Sequence, residues 1–201
     1  MFTVFIVDDD ARVIKALSRL MRVKGYDVRS YTSPQEFLAQ HDPTVPGCAV
    51  LDVSMPGLDG LQLQQALTAG GSHRPVIFIT GKGDVPTTVR AMKAGALDFL
   101  TKPVSNRDLL EAIARAHEQD TKSRQHHAEL ASIEAKLANL TPREREVLRH
   151  IVAGQLNKQI AYDLGTVEKT IKFHRSSIMK KLGVRAVADL VRMTEKAGIA
   201  E

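Results

Sequence analysis

Four short stretches of this chain carry groups that phosphoryl chemistry can use. Asp8-Asp9-Asp10 follows one apolar run, Asp52 ends another, Thr80 ends a third, and Lys102 follows a fourth. An aspartate carboxylate is an established nucleophile for making an acyl phosphate. Three carboxylates gathered in one crevice repel one another, and a hard divalent cation with oxygen ligands holds such a set together. Mg2+ (or Mn2+) suits the set, because Mg2+ is usually bound through one or two carboxylates plus waters and phosphate oxygens. A lysine opposite supplies a point charge for a phosphoryl oxygen, while a threonine hydroxyl and nearby backbone N–H groups supply donors. The plain reading of the acidic triplet is a helix N-cap, a need that one aspartate meets. Asp10 is best placed for it, which leaves Asp8 and Asp9 for other work.

These groups meet only if the chain carries them to one edge of a fold. Residues 3–7 are β-rich, and Val13, Ile14, Leu17, Leu20 and Met21 then recur at helical spacing. Val28 to Tyr31 reads as a second strand, with Ser33-Pro34 opening a short helix. The small and apolar run from Gly47 to Leu51 reads as a third strand, buried on both faces, and Pro56-Gly57 turns the chain after Asp52. Leu58 to Leu67 supplies a helix, Pro75 to Ile79 a fourth strand, 84–94 a helix, Leu97 to Leu100 a fifth strand, and a last helix starts at Ser105. Strands alternating with helices over residues 1–120 predict an α/β fold with a doubly wound parallel sheet. No G-x-G-x-x-G follows the first strand, so the flavodoxin-like (βα)5 variant is expected rather than a dinucleotide fold. In such sheets ligands sit beyond the carboxyl ends of the strands, where Asp8, Asp9, Asp52, Thr80 and Lys102 all fall.

At 201 residues the chain is comfortable for two domains, and 43% hydrophobic residues allow a proper core. No apolar run approaches the roughly 18 residues of a membrane span, and the N-terminus enters a strand rather than a signal peptide. The single cysteine, Cys48, lies inside the third strand and reads as a small core residue. A cytoplasmic protein with no membrane contact is expected. The net charge of +5 is uneven: residues 1–120 hold 13 Lys+Arg against 14 Asp+Glu, and residues 121–201 hold 15 against 9. The basic half calls for an acidic partner such as nucleic acid.

Residues 1–120 resemble the receiver domain of two-component response regulators. The resemblance rests on Val7-Asp8-Asp9-Asp10, Leu51-Asp52-x-x-Met55-Pro56-x-x-Asp59-Gly60, Thr80-Gly81, Ala91-x-x-Ala94-Gly95-Ala96-x-Asp98-Phe99 and Lys102-Pro103, in that order and spacing. It implies that a partner sensor histidine kinase phosphorylates Asp52. It also implies that Asp9, Asp52 and the backbone carbonyl of Ser54 bind Mg2+ directly, with Asp8 acting through water. Lys102 would pair with the phosphoryl group, and Lys102-Pro103 would be cis. Thr80 and Phe99 would form a switch, Thr80 moving toward the phosphoryl oxygen and Phe99 turning inward. The implied dimer surface is helix 84–94, strand 97–100 and helix 105–119.

From Glu118 to Asn139 the chain is polar and free of Gly and Pro, with Leu130, Ile133, Leu137 and Leu140 at 3-4-3 spacing. Residues 121–137 read as a helical linker continuing the last receiver helix, the alternative being a loose tether before a separate short helix. His126-His127 occupy adjacent helical positions that point apart, and read as solvated. The basic module occupies 138–201. Thr141 caps its first helix with Pro142 at the first position. Asn157 is expected to cap a second helix, Gly165 to make a tight turn, and a third helix to run from about Val167 to Leu182. A fourth helix follows Gly183. Helix, short glycine-containing turn, helix is the helix-turn-helix pattern. Lys169, Lys172, Arg175, Lys180 and Lys181 on the third helix then suit a recognition helix in the major groove.

Residues 140–197 resemble the LuxR/NarL/FixJ-type output domain through Leu140-Thr141-x-Arg143-Glu144-x-Glu146-Val147-Leu148, Asn157-Lys158-x-Ile160-Ala161 and Thr170-Ile171-Lys172-x-His174. The resemblance implies a homodimer, when phosphorylated, on double-stranded promoter DNA. Lys172, Phe173 and Ser176 would face bases, Thr170, Arg175 and Lys180 would approach the backbone, and Asn157 and Lys158 belong to the same interface. The fourth helix is the family's dimer element. The sequence departs from the family at Val167, where serine is usual, which leaves Thr166 to cap the recognition helix one residue early. It departs again at Phe173, where valine is common. With the receiver motifs, the whole is similar to the FixJ subgroup of response regulators. A haloacid-dehalogenase-type hydrolase would need a second acid where Ser54 stands. A DNA-binding protein whose receiver is a phosphate sink or docking module stays open as the alternative.

Overall fold

The computed structural model describes residues 1–81 and 84–198. The chain forms two compact units, Met1–Arg124 and the segment from Gln125 onward. The end of the segment read as the helix-turn-helix domain, 199–201, lies outside the described residues.

The first unit runs β1 (Thr3–Val7), α1 (Ala11–Val23), β2 (Asp27–Tyr31), α2 (Pro34–Gln40), β3 (Gly47–Asp52), α3 (Gly60–Ala69), β4 (Val76–Thr80), α4 (Val85–Lys93), β5 (Asp98–Thr101) and the start of α5 (Asn106–Ala138). All strand pairs are parallel, in the order β2-β1-β3-β4-β5. This is the expected doubly wound sheet, with β5 one residue later than its apolar run suggested. Alternation along each strand sorts side chains onto two faces. Val4, Ile6, Cys48, Val50, Ile77 and Ile79 meet Leu17 and Met21 of α1 and Leu109 and Ile113 of α5. Phe5, Val7, Ala49, Leu51, Val76 and Phe78 meet Phe37, Leu63, Leu67 and Ala91 on the opposite face. Burying a side chain such as Phe5, Phe37 or Phe78 contributes about 1.5–3 kcal/mol. Cys48 is fully buried, and desolvation pushes its thiol pKa up to about 12, so it is a core residue without thiolate chemistry.

The first unit closes at its far edge on Asp120 and Arg124. Asp120 accepts hydrogen bonds from the Gly47 amide (3.2 Å) and from Arg124 Nε (2.9 Å). The Arg124 guanidinium also donates to the carbonyl oxygens of Pro43, Thr44 and Val45 at 3.0, 2.9 and 2.8 Å. Arg74 donates to the carbonyl oxygens of Asp42 and Val45 at 2.8 and 3.1 Å, so two guanidinium groups hold the loop before β3.

The second unit holds the end of α5, α6 (Pro142–Val152), α7 (Asn157–Asp163), α8 (Glu168–Leu182) and α9 (Val187–Lys196). Residues 121–137 are helical throughout, within α5. Ile133, Leu137 and Leu140 of the 3-4-3 stripe are buried with Val147, Leu148, Ile151, Ile160, Ile171, Ile178, Leu182 and Leu190. The stripe therefore packs into the core of this unit. Thr141 caps α6 in a reciprocal box with Glu144. Gly183 ends α8 at φ +71°, where a Cβ would be strained. Two cap expectations are corrected. Leu156 is the N-cap of α7 and Asn157 its first residue. The capping position of α8 is Val167, with no side-chain cap, so Thr166 does not start the helix early. At α7 the Gln159 side chain accepts the Leu156 amide at 2.8 Å and takes the place of a cap from the N-cap residue, whereas α8 starts with no side-chain cap.

Glu144 is buried and joined to Lys181 Nζ at 2.6 Å and to Ser177 Oγ at 2.6 Å. Burial alone would raise its pKa, but the Lys181 ammonium, the Ser177 hydroxyl and the Thr141 amide outweigh burial and bring it down to about 2. A depressed carboxylate stabilises the fold above its unfolded pKa, near 4.5, and that stability is lost as pH falls toward about 2. Glu144→Ala should cost about 1–2 kcal/mol, the loss of the capping-box bond and of charge-assisted hydrogen bonds, and should flatten the acid limb of a stability–pH curve. Leu137→Ala should cost about 2–3 kcal/mol in urea unfolding of the second unit, whereas a free linker residue would cost almost nothing.

Candidate functional site

Strand order reverses between β1 and β3, so the crevice at their carboxyl ends is the switch point where α/β sheets bind ligands. β1 delivers Asp8 and Asp9 there, and β3 delivers Asp52. Oxygens of the three carboxylates lie within 4.8 Å of one another. Asp10 takes the cap of α1, its side chain accepting from the Arg12 amide, as expected. Gly60 permits the close approach of α3, since a Cβ there would lie 2.3 Å from the Asp52 carbonyl oxygen. Its amide donates to Val53 O at 3.0 Å, and the Asp59 side chain caps the helix behind it.

Asp8 is fully buried, accepting the Asp10 amide at 2.8 Å on Oδ1 and Lys102 Nζ at 2.8 Å on Oδ2. Lys102 also lies 3.3 Å from Asp52 Oδ2. Desolvation works against the ammonium, but the two carboxylates overcome it and raise the Lys102 pKa, so the side chain stays charged. For Asp52 the balance runs the other way. Burial, the largest effect, raises its pKa, the Lys102 charge opposes this, and the Asp8 charge adds to the rise. Asp52 Oδ1 is buried without a hydrogen-bond partner among the described residues. Asp9 is exposed at the mouth, as is Ser54 just past β3. Carboxylate oxygens with one orphaned, buried acceptor fit a hard cation such as Mg2+ or Mn2+, which prefers oxygen ligands.

Thr80 is fully buried at the end of β4, and its carbonyl accepts the Lys102 amide at 2.7 Å. The Lys102-Pro103 peptide is cis, as the resemblance implied. Phe99 is half-buried on β5, its ring 6.2 Å from that of Phe78. Val85, Val89 and Met92 of α4 are exposed apolar residues on the face expected to dimerise.

The second unit presents α8. Ile171, Ile178 and Leu182 face the core, and Lys169, Lys172, Phe173, Ser176 and Lys180 form an exposed stripe on the other side. Lys169 belongs to this stripe although the family motif does not mark it; its i, i+3, i+4 spacing to Lys172 and Phe173 is the signal. Lys181 does not belong, because it is committed to Glu144. Lys172 pairs with Glu168 at 2.9 Å. Arg175 Nη1 donates to Asn157 Oδ1 at 3.1 Å and so braces α7 against α8. Lys158 is exposed and Thr170 half-buried.

Removing the Asp52 charge relieves its repulsion with Asp8. In metal-free buffer at neutral pH, Asp52→Asn should raise the melting temperature of the first unit by a few degrees. An unchanged or lowered value would mean that Lys102 already compensates the cluster.

Residues 4–114 match the family described as response regulator receiver domain, and residues 138–194 match the luxR family of bacterial regulatory proteins. Nodulation protein W of Bradyrhizobium diazoefficiens is 44% identical over 197 residues, 98% of this chain and 87% of that protein. The transcriptional regulatory protein FixJ of Rhizobium meliloti is 40% identical over 197 residues, 98% of this chain and 97% of that one. The solved structure of the response regulator StyR matches with a TM-score of 0.88 at 45% identity, covering 97% of this chain and 98% of its own. With a carboxylate crevice on one unit and a basic helix on the other, the chain belongs to the response regulators that join a receiver domain to a LuxR-type DNA-binding domain.

Proposed function

We propose that Asp52 accepts a phosphoryl group from a sensor histidine kinase and that this phosphorylation switches dimerisation and promoter binding. The carrying observation is the orphaned, buried Asp52 Oδ1 beside Lys102 at the switch point of the sheet. A carboxylate oxygen of Asp52 attacks phosphorus, the P–N bond to the kinase histidine breaks, and its electron pair stays on the imidazole, which takes a proton from solvent. Asp8, Asp9, Asp52 and the backbone carbonyl of Ser54 would hold Mg2+ (or Mn2+), which when bound neutralises charge on the transferring phosphoryl oxygens. Lys102 stays protonated between the acids and supplies a positive charge to the new phosphoryl group. The chemistry is limited to this self-modification and its reversal by water.

The new charge biases Thr80 and Phe99. The Thr80 hydroxyl approaches a phosphoryl oxygen, and Phe99 turns into the space it leaves. The altered face carries Val85, Val89 and Met92 to a second copy, forming the homodimer. The two DNA-binding domains then engage double-stranded promoter DNA through the α8 stripe, with Asn157, Lys158, Thr170, Lys172, Phe173, Arg175, Ser176 and Lys180 at the interface. The cytoplasm is the working compartment, where DNA and kinase are both at hand; among the described residues no helix is long and apolar enough to cross a membrane.

The test uses the full chain with acetyl phosphate and Mg2+. Label should enter the wild type and be absent from Asp52→Asn; label remaining on the variant would place the acceptor elsewhere. With beryllofluoride and Mg2+, mass by light scattering should double and promoter affinity should rise together. A constant mass and affinity would favour the phosphate-sink reading of the receiver.

A further inference from the structure

Phe173 stands out on the α8 stripe because it is 71% exposed among Lys169, Lys172, Ser176 and Lys180. The apolar residues of α8 that stabilise the fold, Ile171, Ile178 and Leu182, are on the other side. Phe173 therefore contributes little to this unit's packing, and a ring in water gains nothing from its position. The surrounding ammonium groups select a polyanion as the occupant of this face. An apolar ring on a face that also carries cations then meets the floor of the groove while the cations meet its phosphate walls.

The neighbouring polar groups narrow the choice further. Lys172, in an exposed ion pair with Glu168 at 2.9 Å, and Arg175, bonded to Asn157 at 3.1 Å, carry donors suited to phosphates and polar base atoms. Phe173 has neither donor nor acceptor for a base edge. In the major groove the edges of guanine, adenine and cytosine present polar atoms, whereas thymine presents an apolar C5-methyl beside its O4 acceptor. From this geometry we infer that Phe173 is a specificity-determining residue and that it reads the C5-methyl group of a thymine in each half-site. The assignment rests on the DNA-binding reading of α8 and deepens it.

The test starts with the full-length protein, activated with beryllofluoride and Mg2+, selecting its preferred duplex from a random pool. Each thymine of that duplex is then replaced singly by deoxyuridine, which removes the methyl and nothing else. One thymine per half-site should weaken wild-type binding about fourfold on replacement, the effect of losing one buried methyl-sized group. Phe173→Ala, which should keep its circular dichroism because the ring is exposed, should bind the thymine and deoxyuridine duplexes equally. Phe173→Leu should retain part of the preference. A selected duplex with no deoxyuridine-sensitive position, or a Phe173→Ala protein that still discriminates, overturns the assignment while leaving DNA binding intact. Failure to select any duplex overturns the DNA-binding reading of α8, and this assignment with it.

Discussion

The first unit depends on Lys102 being held among carboxylates. Its ammonium lies 2.8 Å from Asp8 and 3.3 Å from Asp52, both largely removed from water. Two acids this close, with Asp9 beside them, would repel at neutral pH without a compensating cation. One lysine satisfies part of the demand. Asp52 is left with a raised pKa and a buried oxygen lacking a partner among the described residues. Parallel pairing of β1 with β3 and of β3 with β4 places these groups together, and Gly60 lets α3 close against the Asp52 backbone.

The second unit uses charge differently. The buried Glu144 pairs with the more exposed Lys181 and so fixes α6 against α8, with Ser177 and the Thr141 cap completing the hydrogen bonds. Its carboxyl falls to about 2, whereas Asp52, also buried, rises. The contrast is one of partners: Glu144 receives an ammonium, a hydroxyl and an amide of its own, whereas Asp52 shares one ammonium with Asp8, gains only a small effect from the Ser54 amide, and faces a neighbouring negative charge. A satisfied carboxylate supports structure, and an unsatisfied one is available for chemistry. Lys169, Lys172 and Lys180 of α8 face outward on the same side as the exposed ring of Phe173.

Much of this was legible in the chain. The continuous apolar runs in Thr3–Val7, Gly47–Asp52 and Val76–Thr80 predicted a sheet covered on both faces, and the strand ends named Asp8, Asp9, Asp52, Thr80 and Lys102. The Asp10 and Thr141 caps were readable too, because a cap is a local matter of one side chain and the next turn. The starts of α7 and α8 were less readable. Asn157 and Thr166 have capping side chains, but the N-caps are Leu156, whose amide is taken by Gln159, and Val167, which lacks a side-chain cap. The 3-4-3 stripe showed that α5 has an apolar face, but periodicity alone does not say what covers it.

Local rules therefore determined the order of strands and helices, the basic half, and which residues stand at the strand ends. They follow from side-chain period, turn chemistry and charge, each of which acts over a few residues. Tertiary structure alone decided that Lys181 is spent on Glu144, that Arg175 braces Asn157, and that Ile133 and Leu137 complete the core of the second unit. It also decided that Asp52 Oδ1 lacks a partner among the described residues and that Phe173 is left in water. These are contacts between residues distant in the chain or matters of burial, and no sequence window contains both partners of such a contact.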